Sequence, residues 1–158
     1  MSLAFLYNMS VDVEVLKEIR NETSMPVSAI RKALEEAGGE KDKALTILMS
    51  GGESVAAKKA DRETGEGAIF SYIHSNKKIG VLVKILCETD FVARNPDFQA
   101  LGNEIAMHVA AMSPANADEC LEQQSIHNPE KTVRQIIQES IAKLGENIKL
   151  QEISRFNI

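Results

Sequence analysis

Apolar and polar residues alternate along this chain first with a helical period and then, from about residue 68, with a mixture of strand and helical periods. Over residues 11–23 the positions Val11, Val15, Leu16 and Ile19 share one face while Asp12, Glu14, Lys17 and Glu18 look away, which predicts a first helix. Ser24-Met25-Pro26 breaks it. Ala29, Ile30, Ala33, Leu34 and Ala37 then recur on one face, and Gly38-Gly39 suits a left-handed cap. Ala44, Leu45, Leu48 and Met49 predict a third short helix, expected to stop at Gly51-Gly52. Three helices in roughly forty residues lie near the lower limit for independent folding, and such bundles usually serve docking.

Residues 53–67 change character. Val55-Ala56-Ala57-Lys58-Lys59-Ala60 favours helix, whereas Asp61 to Gly67 is polar and glycine-containing, so a helical linker with a hinge is expected. Two strand-like runs follow, 68–75 and 79–87, rich in Ile, Val, Leu, Phe and Tyr and joined at Asn76-Lys77-Lys78 as a hairpin. Asn95-Pro96-Asp97 orders a cap, a first-turn proline and a negative charge as a helix start prefers, with Phe98, Leu101, Ile105, Val109 and Met112 as the buried stripe. Residues 113–127 read as loop with one short helix. Asn128-Pro129-Glu130 repeats the start signal ahead of Val133, Ile136, Ile137, Ile141 and Leu144, and Gly145 ends that pattern. A last strand over 147–158 is expected to carry Ile148, Leu150, Phe156 and Ile158 on one face.

The fold class is therefore α+β. A three-helix bundle over 11–52 leads through a helical linker, 53–67, into a core over 68–158 in which a three-stranded antiparallel sheet packs on helices. Residues 1–10 are expected to be loosely ordered, because Met9 opens a second start just before the first helical pattern. The last strand leaves a sheet edge that a second copy of the chain could pair with, or that Lys149, Glu152 and Arg155 could protect; both readings fit the sequence.

Composition narrows the function. In 158 residues, 44% are apolar and 26% charged, the balance of a folded globular protein rather than a disordered one. Aromatic residues make up only 4%, so an exposed one is informative. The formal net charge of -5 opposes nucleic-acid binding, and Lys58-Lys59 and Lys77-Lys78 are too short to reverse it. Cys87 and Cys120 are unpaired in spacing, which suggests neither zinc nor a disulfide framework and fits a reducing compartment. The N-terminal residues lack the charge and apolar length of a secretory signal, and no later window is apolar enough to span a bilayer, so a cytoplasmic protein without membrane contact is expected.

Candidate chemistry is sparse. Gly65-Glu66-Gly67 lacks a third glycine and follows no strand, so no nucleotide site is predicted in this chain. His74, His108 and His127 have no second ligand at metal spacing, and no metal or other cofactor is expected. Cys87 with His108 could form a thiol nucleophile pair, but Cys87 alternates with Val81, Val83 and Ile85 and so belongs to the apolar side of its strand. His108 lies one turn from Ile105 and Met112, where a satisfied core histidine is ordinary. The run Glu88-Thr89-Asp90-Phe91-Val92-Ala93-Arg94-Asn95 is different, since it sets a Phe and a Val among charges between a strand and a helix. Either these two cover the core from a loop or they form an exposed partner-binding knob.

Cys87-Glu88-Thr89-Asp90-Phe91-Val92-Ala93-Arg94 resembles the signature of the elongation factor Ts family, whose core carries a Thr-Asp-Phe-Val turn after a strand. The helical module, with Val15-Leu16-Lys17-Glu18-Ile19-Arg20 and Arg31-Lys32-Ala33-Leu34, is similar to that family's ubiquitin-associated-like head, and Ala106-Met107-His108-Val109-Ala110-Ala111 and Leu144-Gly145-Glu146-Asn147-Ile148 resemble two more of its motifs in the same order. The resemblance implies a guanine nucleotide exchange factor that is not an enzyme and acts by binding the translational GTPase elongation factor Tu. It implies partner contacts through Thr89, Asp90, Phe91 and Val92 near the GTPase's magnesium and phosphate site, with His108 beside Phe91, and head contacts through Arg20 and Val27. Met25-Pro26-Val27-Ser28-Ala29-Ile30 departs from the family's usual start of the second head helix, and residues 113–127 replace a longer helical insertion. Short members are expected to pair as homodimers to supply both halves of the core. The competing function from another class is an adaptor whose head binds a peptide or a ubiquitin-like partner, with the body merely structural.

Overall fold

The computed structural model describes residues 11–158, so the expectation for residues 1–10 lies outside the described residues. The chain falls into two compact units that divide between Gly51 and Gly52. In the N-terminal unit, α1 (Val13–Thr23) is capped by Asp12, whose carboxylate accepts the Glu14 N–H at 2.9 Å. Helix α2 (Val27–Glu36) ends in a Schellman turn: the Gly38 and Gly39 N–H groups donate to Glu35 O and Leu34 O, with both glycines at positive φ. Ile19, Ile30, Ala33, Leu34, Ala37, Ala44 and Leu48 make the core of this unit, as the helical pattern requires.

Helix α3 runs from Lys41 to Lys59 and so corrects the expected stop at Gly51-Gly52 and the separate linker helix. Neither glycine takes a positive φ. Each costs roughly 1 kcal/mol against Ala inside a helix, too little to break one flanked by good helix formers. Gly52 also comes close to a backbone within the second unit: a Cβ there would sit 3.7 Å from the main chain of Gln138.

The second unit is α+β. Strands β1 (Glu66–Ile73), β2 (Ile79–Cys87) and β3 (Lys149–Asn157) form one antiparallel sheet in the order β1-β2-β3. Between β2 and β3 lie α4 (Asp90–Ala93), α5 (Pro96–Met112), α6 (Ala117–Glu122) and α7 (Val133–Leu144). Phe70, Val81, Val83, Ile85, Cys87 and Leu150 turn to one face of the sheet and meet Phe98, Leu101, Ile105 and Val109 of α5 and Ile137 and Ile141 of α7. Gly102 is required for this fit, because a Cβ there would run into the Phe70 ring.

Two expectations change here. Asn95-Pro96-Asp97 does start α5, with Asn95 Oδ1 accepting the Asp97 N–H at 2.8 Å. Asn128-Pro129-Glu130 does not start α7; the Lys131 N–H closes a turn on Asn128 O, and Thr132 with Gln135 forms a capping box that sets the start at Val133. In β3 the register slips between Lys84 and Ile85, which pair with Glu152 and Leu150 and leave Gln151 as an extra residue. Ile148 and Leu150 are buried as expected, but after the bulge Ile153 and Arg155 take the core side, while Phe156 and Ile158 are 70% and 98% exposed. Arg155 donates Nε and a terminal N–H to Ala110 O at the end of α5. Phe156 joins Ile69, Ile73 and Leu82 on the opposite, open face of the sheet, where the cross-strand row Ile73-Gly80-Phe156 places Ile73 against the bare Gly80.

Candidate functional site

The segment from β2 to α5 is short and tightly bonded. Thr89 caps α4, its Oγ1 accepting the Val92 N–H at 3.4 Å. Its carbonyl accepts the Ala93 N–H at 3.1 Å and the Cys87 thiol at 3.2 Å. Gln99 Nε2 donates to Ala93 O at 2.7 Å, so the far side of the turn is held as well. This one turn of helix points Val92 and Ala93 into the core and Phe91 away from it, leaving Phe91 84% exposed. The two residues of the pair thus part company: Val92 covers the core, and Phe91 stands exposed. Asp90 is half-exposed and pairs with Arg94 at 2.8 Å, an exposed ion pair worth a few tenths of a kcal/mol.

A second strand of contacts reaches the turn from residues 145–147. Gly145, at φ 81°, ends α7 and redirects the chain. The Glu146 carboxylate then accepts the N–H groups of Glu88 and Thr89 at 3.1 and 3.0 Å and the Thr89 hydroxyl at 2.6 Å. Glu88 returns the contact by accepting the Asn147 N–H at 2.7 Å. Asn147 is buried and donates its amide to Ala60 O and Arg62 O, and Lys59 Nζ donates to Gly145 O at 2.8 Å. Composition and periodicity give no role to Glu146, Asn147 or Glu88, since a partner more than fifty residues away leaves no periodic mark. A carboxylate directly after a glycine helix stop, within a motif shared with the family, was the available signal.

The structure brings Thr89, Asp90, Phe91 and Val92 together and sets His108 apart. His108 is 1% exposed on α5, with Nε2 hydrogen-bonded to Gln123 Oε1 at 2.9 Å and Nδ1 without a partner. Because the Gln123 oxygen only accepts, Nε2 carries the proton. Burial pushes the imidazole below its ordinary pKa, against the opposing effects of Gln123 and Glu104. His108 therefore lies in the core on the apolar stripe of α5. In the N-terminal unit, Arg20 is exposed on α1 and Val27 is half-buried at the start of α2.

Nucleophilic chemistry is opposed by the thiols. Burial, with a smaller push from the Glu146 charge, raises Cys87 to about 11, and burial raises Cys120 to about 12, whereas a reactive cysteine needs a lowered value. Among the described residues, no group of three or more His, Cys, Asp or Glu is placed to hold a metal, and no helix is long and apolar enough to cross a membrane.

Comparison with known proteins adds a name to this geometry. The family model described as Elongation factor TS matches residues 88–158, which takes in the turn, α5 to α7 and β3. Over 94% of this chain and 98% of its own length, the Elongation factor Ts of Thermosipho melanesiensis is 41% identical. The Elongation factor Ts of Leptospira biflexa is 38% identical over 95% of this chain and 98% of its length, and that of Rubrobacter xylanophilus 33% over 95% and 100%. These alignments run over 193 to 195 positions against the 158 residues here, so the relatives hold internal residues that this chain lacks.

Proposed function

The chain belongs to the elongation factor Ts family of translation elongation factors, and from that premise we propose that it binds elongation factor Tu in the cytoplasm and promotes GDP release, with Asp90 and Phe91 pressing into the GTPase near its magnesium and phosphate site. The observation that carries this reading is Phe91. A phenyl ring 84% exposed on a turn fixed from both sides is an apolar group already ordered for a partner, so little conformational entropy is lost when it docks. Thr89 and Val92 act from beneath, one as the cap and the other as the anchor in the core.

Burying such a ring contributes on the order of 1.5 to 3 kcal/mol, enough to weaken a competing ligand by about ten- to a hundredfold. The gain must be specific to the nucleotide-free state, because a partner that binds both states equally shifts nothing. Linkage then makes the effect reciprocal: GDP weakens the binding of this protein by the factor by which this protein weakens GDP.

The test is release of labelled GDP from elongation factor Tu. The unmodified chain accelerates it, and Phe91→Ala removes most of the acceleration. Full activity in the variant refutes the wedge. No acceleration by the unmodified chain refutes exchange altogether and favours the adaptor reading.

A homodimer through the core is part of the same proposal. The feature that supports it is the open face of the sheet, where Ile69, Ile73, Leu82 and Phe156 stand exposed across three strands. Such a face can cover itself against a second copy about a two-fold axis. Pairing along the edge of β3 stays open beside it, since Arg155 is turned inward to Ala110 and does not guard that edge.

A further inference from the structure

We propose that Glu146 is a positioning residue for exchange, holding the 89–92 turn in the one conformation that presents Phe91. The inference rests on the reading of that turn as the contact with the GTPase. Its basis is a backbone accounting. Cys87 is the last residue of β2, so the N–H groups of Glu88 and Thr89 leave the strand ladder before α4 begins and have no strand or helix partner. Glu146 supplies both, through one carboxylate oxygen.

The second oxygen does more than add a bond. The Thr89 hydroxyl has one proton, and donating it to Glu146 at 2.6 Å leaves the lone pairs of Oγ1 to face the Val92 N–H. Glu146 thereby sets the rotor of the cap that starts α4, and α4 is the single turn that points Phe91 outward. Glu146 is itself held from both ends. Gly145 O receives Lys59, the Asn147 N–H is taken by Glu88, and the Asn147 amide is tied to Ala60 and Arg62. None of these bonds adds to the apolar core, where Cys87, Val92, Phe98 and Ile141 pack without help from Glu146. Its loss should therefore loosen the turn selectively.

Substitution chemistry distinguishes positioning from simple support. Gln at this position keeps one oxygen for the two N–H groups and reverses the third contact, its amide donating to Thr89 Oγ1, so Glu146→Gln retains both backbone bonds and gives up only the acceptor for the Thr89 hydroxyl. Glu146→Ala removes all three contacts. Two measurements decide. In the free protein, followed by amide hydrogen exchange, Glu146→Ala speeds exchange of residues 88–93 by about tenfold or more while Val83 and Ile105 stay protected, and Glu146→Gln stays near the unmodified rate. In the labelled-GDP assay with elongation factor Tu, Glu146→Ala lowers stimulated release by about ten- to a hundredfold and Glu146→Gln restores most of it. Thr89→Val, which removes only the hydroxyl, gives an intermediate loss in both and serves if Glu146→Ala does not fold. Unchanged turn protection in Glu146→Ala overturns the proposal. So does full exchange activity in Glu146→Ala when Phe91→Ala is inactive. A Gln variant as damaged as Ala overturns the hydrogen-bond assignment. If Phe91→Ala is fully active, the reading of the contact fails instead, and the amide exchange result is independent of it.

Discussion

Two of the places where the molecule displays apolar side chains are built in opposite ways. Phe91 stands alone among Asp90, Arg94 and Glu88 on a turn whose backbone is bonded from 87, 99 and 146. Ile69, Ile73, Leu82 and Phe156 lie side by side over three strands, with the bare Gly80 letting Ile73 lie flat between them. A single braced ring suits a preformed socket in a different protein, where charged neighbours confer selectivity. A broad level face suits a copy of itself, because contiguous apolar area on a soluble protein marks an interface and a two-fold axis makes one patch match its own image.

Charge placed on the open face should have the largest effect of any substitution that separates the two. Phe156→Glu enters a two-fold interface twice and leaves two carboxylates in apolar contact, at a cost of several kcal/mol, so sedimentation should show the dimer dissociating by more than a hundredfold in affinity. An unchanged dimer would break the assignment of the face. Next comes Phe91→Ala, expected to lose ten- to a hundredfold of exchange yet sediment like the unmodified chain. A shift in its oligomeric state would mean that the two displays are one. Beneath the sheet, Gly102→Ala drives a methyl into the Phe70 ring and should lower unfolding stability by about 1–3 kcal/mol, measurable in urea, without favouring either display. The smallest effect tests the brace. Iodoacetamide should leave Cys87 unlabelled in the folded protein at pH 8, and because its folded value of about 11 lies above the ordinary 9.0, its contribution to stability is present below pH 9 and lost as pH rises toward 11. Rapid labelling would show that the 89–92 turn opens.

The contrast also explains what could be read beforehand. The first two helices of the head, the β1 and β2 hairpin and the stripe of α5 were legible because burial repeats at a fixed period, and the Thr89 to Asn95 run stood out because it breaks every period. What escaped depended on distant partners or on competition between local signals. Glu146 meets Glu88 and Thr89 across more than fifty residues, and no pattern along the chain records that meeting. Asn95-Pro96-Asp97 and Asn128-Pro129-Glu130 look alike, yet the second lost its helix to the Thr132 and Gln135 capping box four residues later. Gly51-Gly52 looked like a stop and is helix, since intrinsic propensity is a weak term once the rest of α3 is formed. The burial of His108 was legible, because its spacing from Ile105 puts it on the apolar stripe of α5.

Gln151 gives the sheet an odd residue, and oddness is heritable in a way that most surface features are not. Substituting it changes little, because its side chain is exposed and the bulge is a matter of count. Deleting it restores strict alternation and leaves everything downstream on its present face, with Glu152 still opposite Lys84, Phe156 still opposite Gly80 and Arg155 still on Ala110. It is the same length of strand paired without the bulge that would turn Phe156 inward and Arg155 outward, so the one extra residue decides which side chain the outer face of the sheet displays.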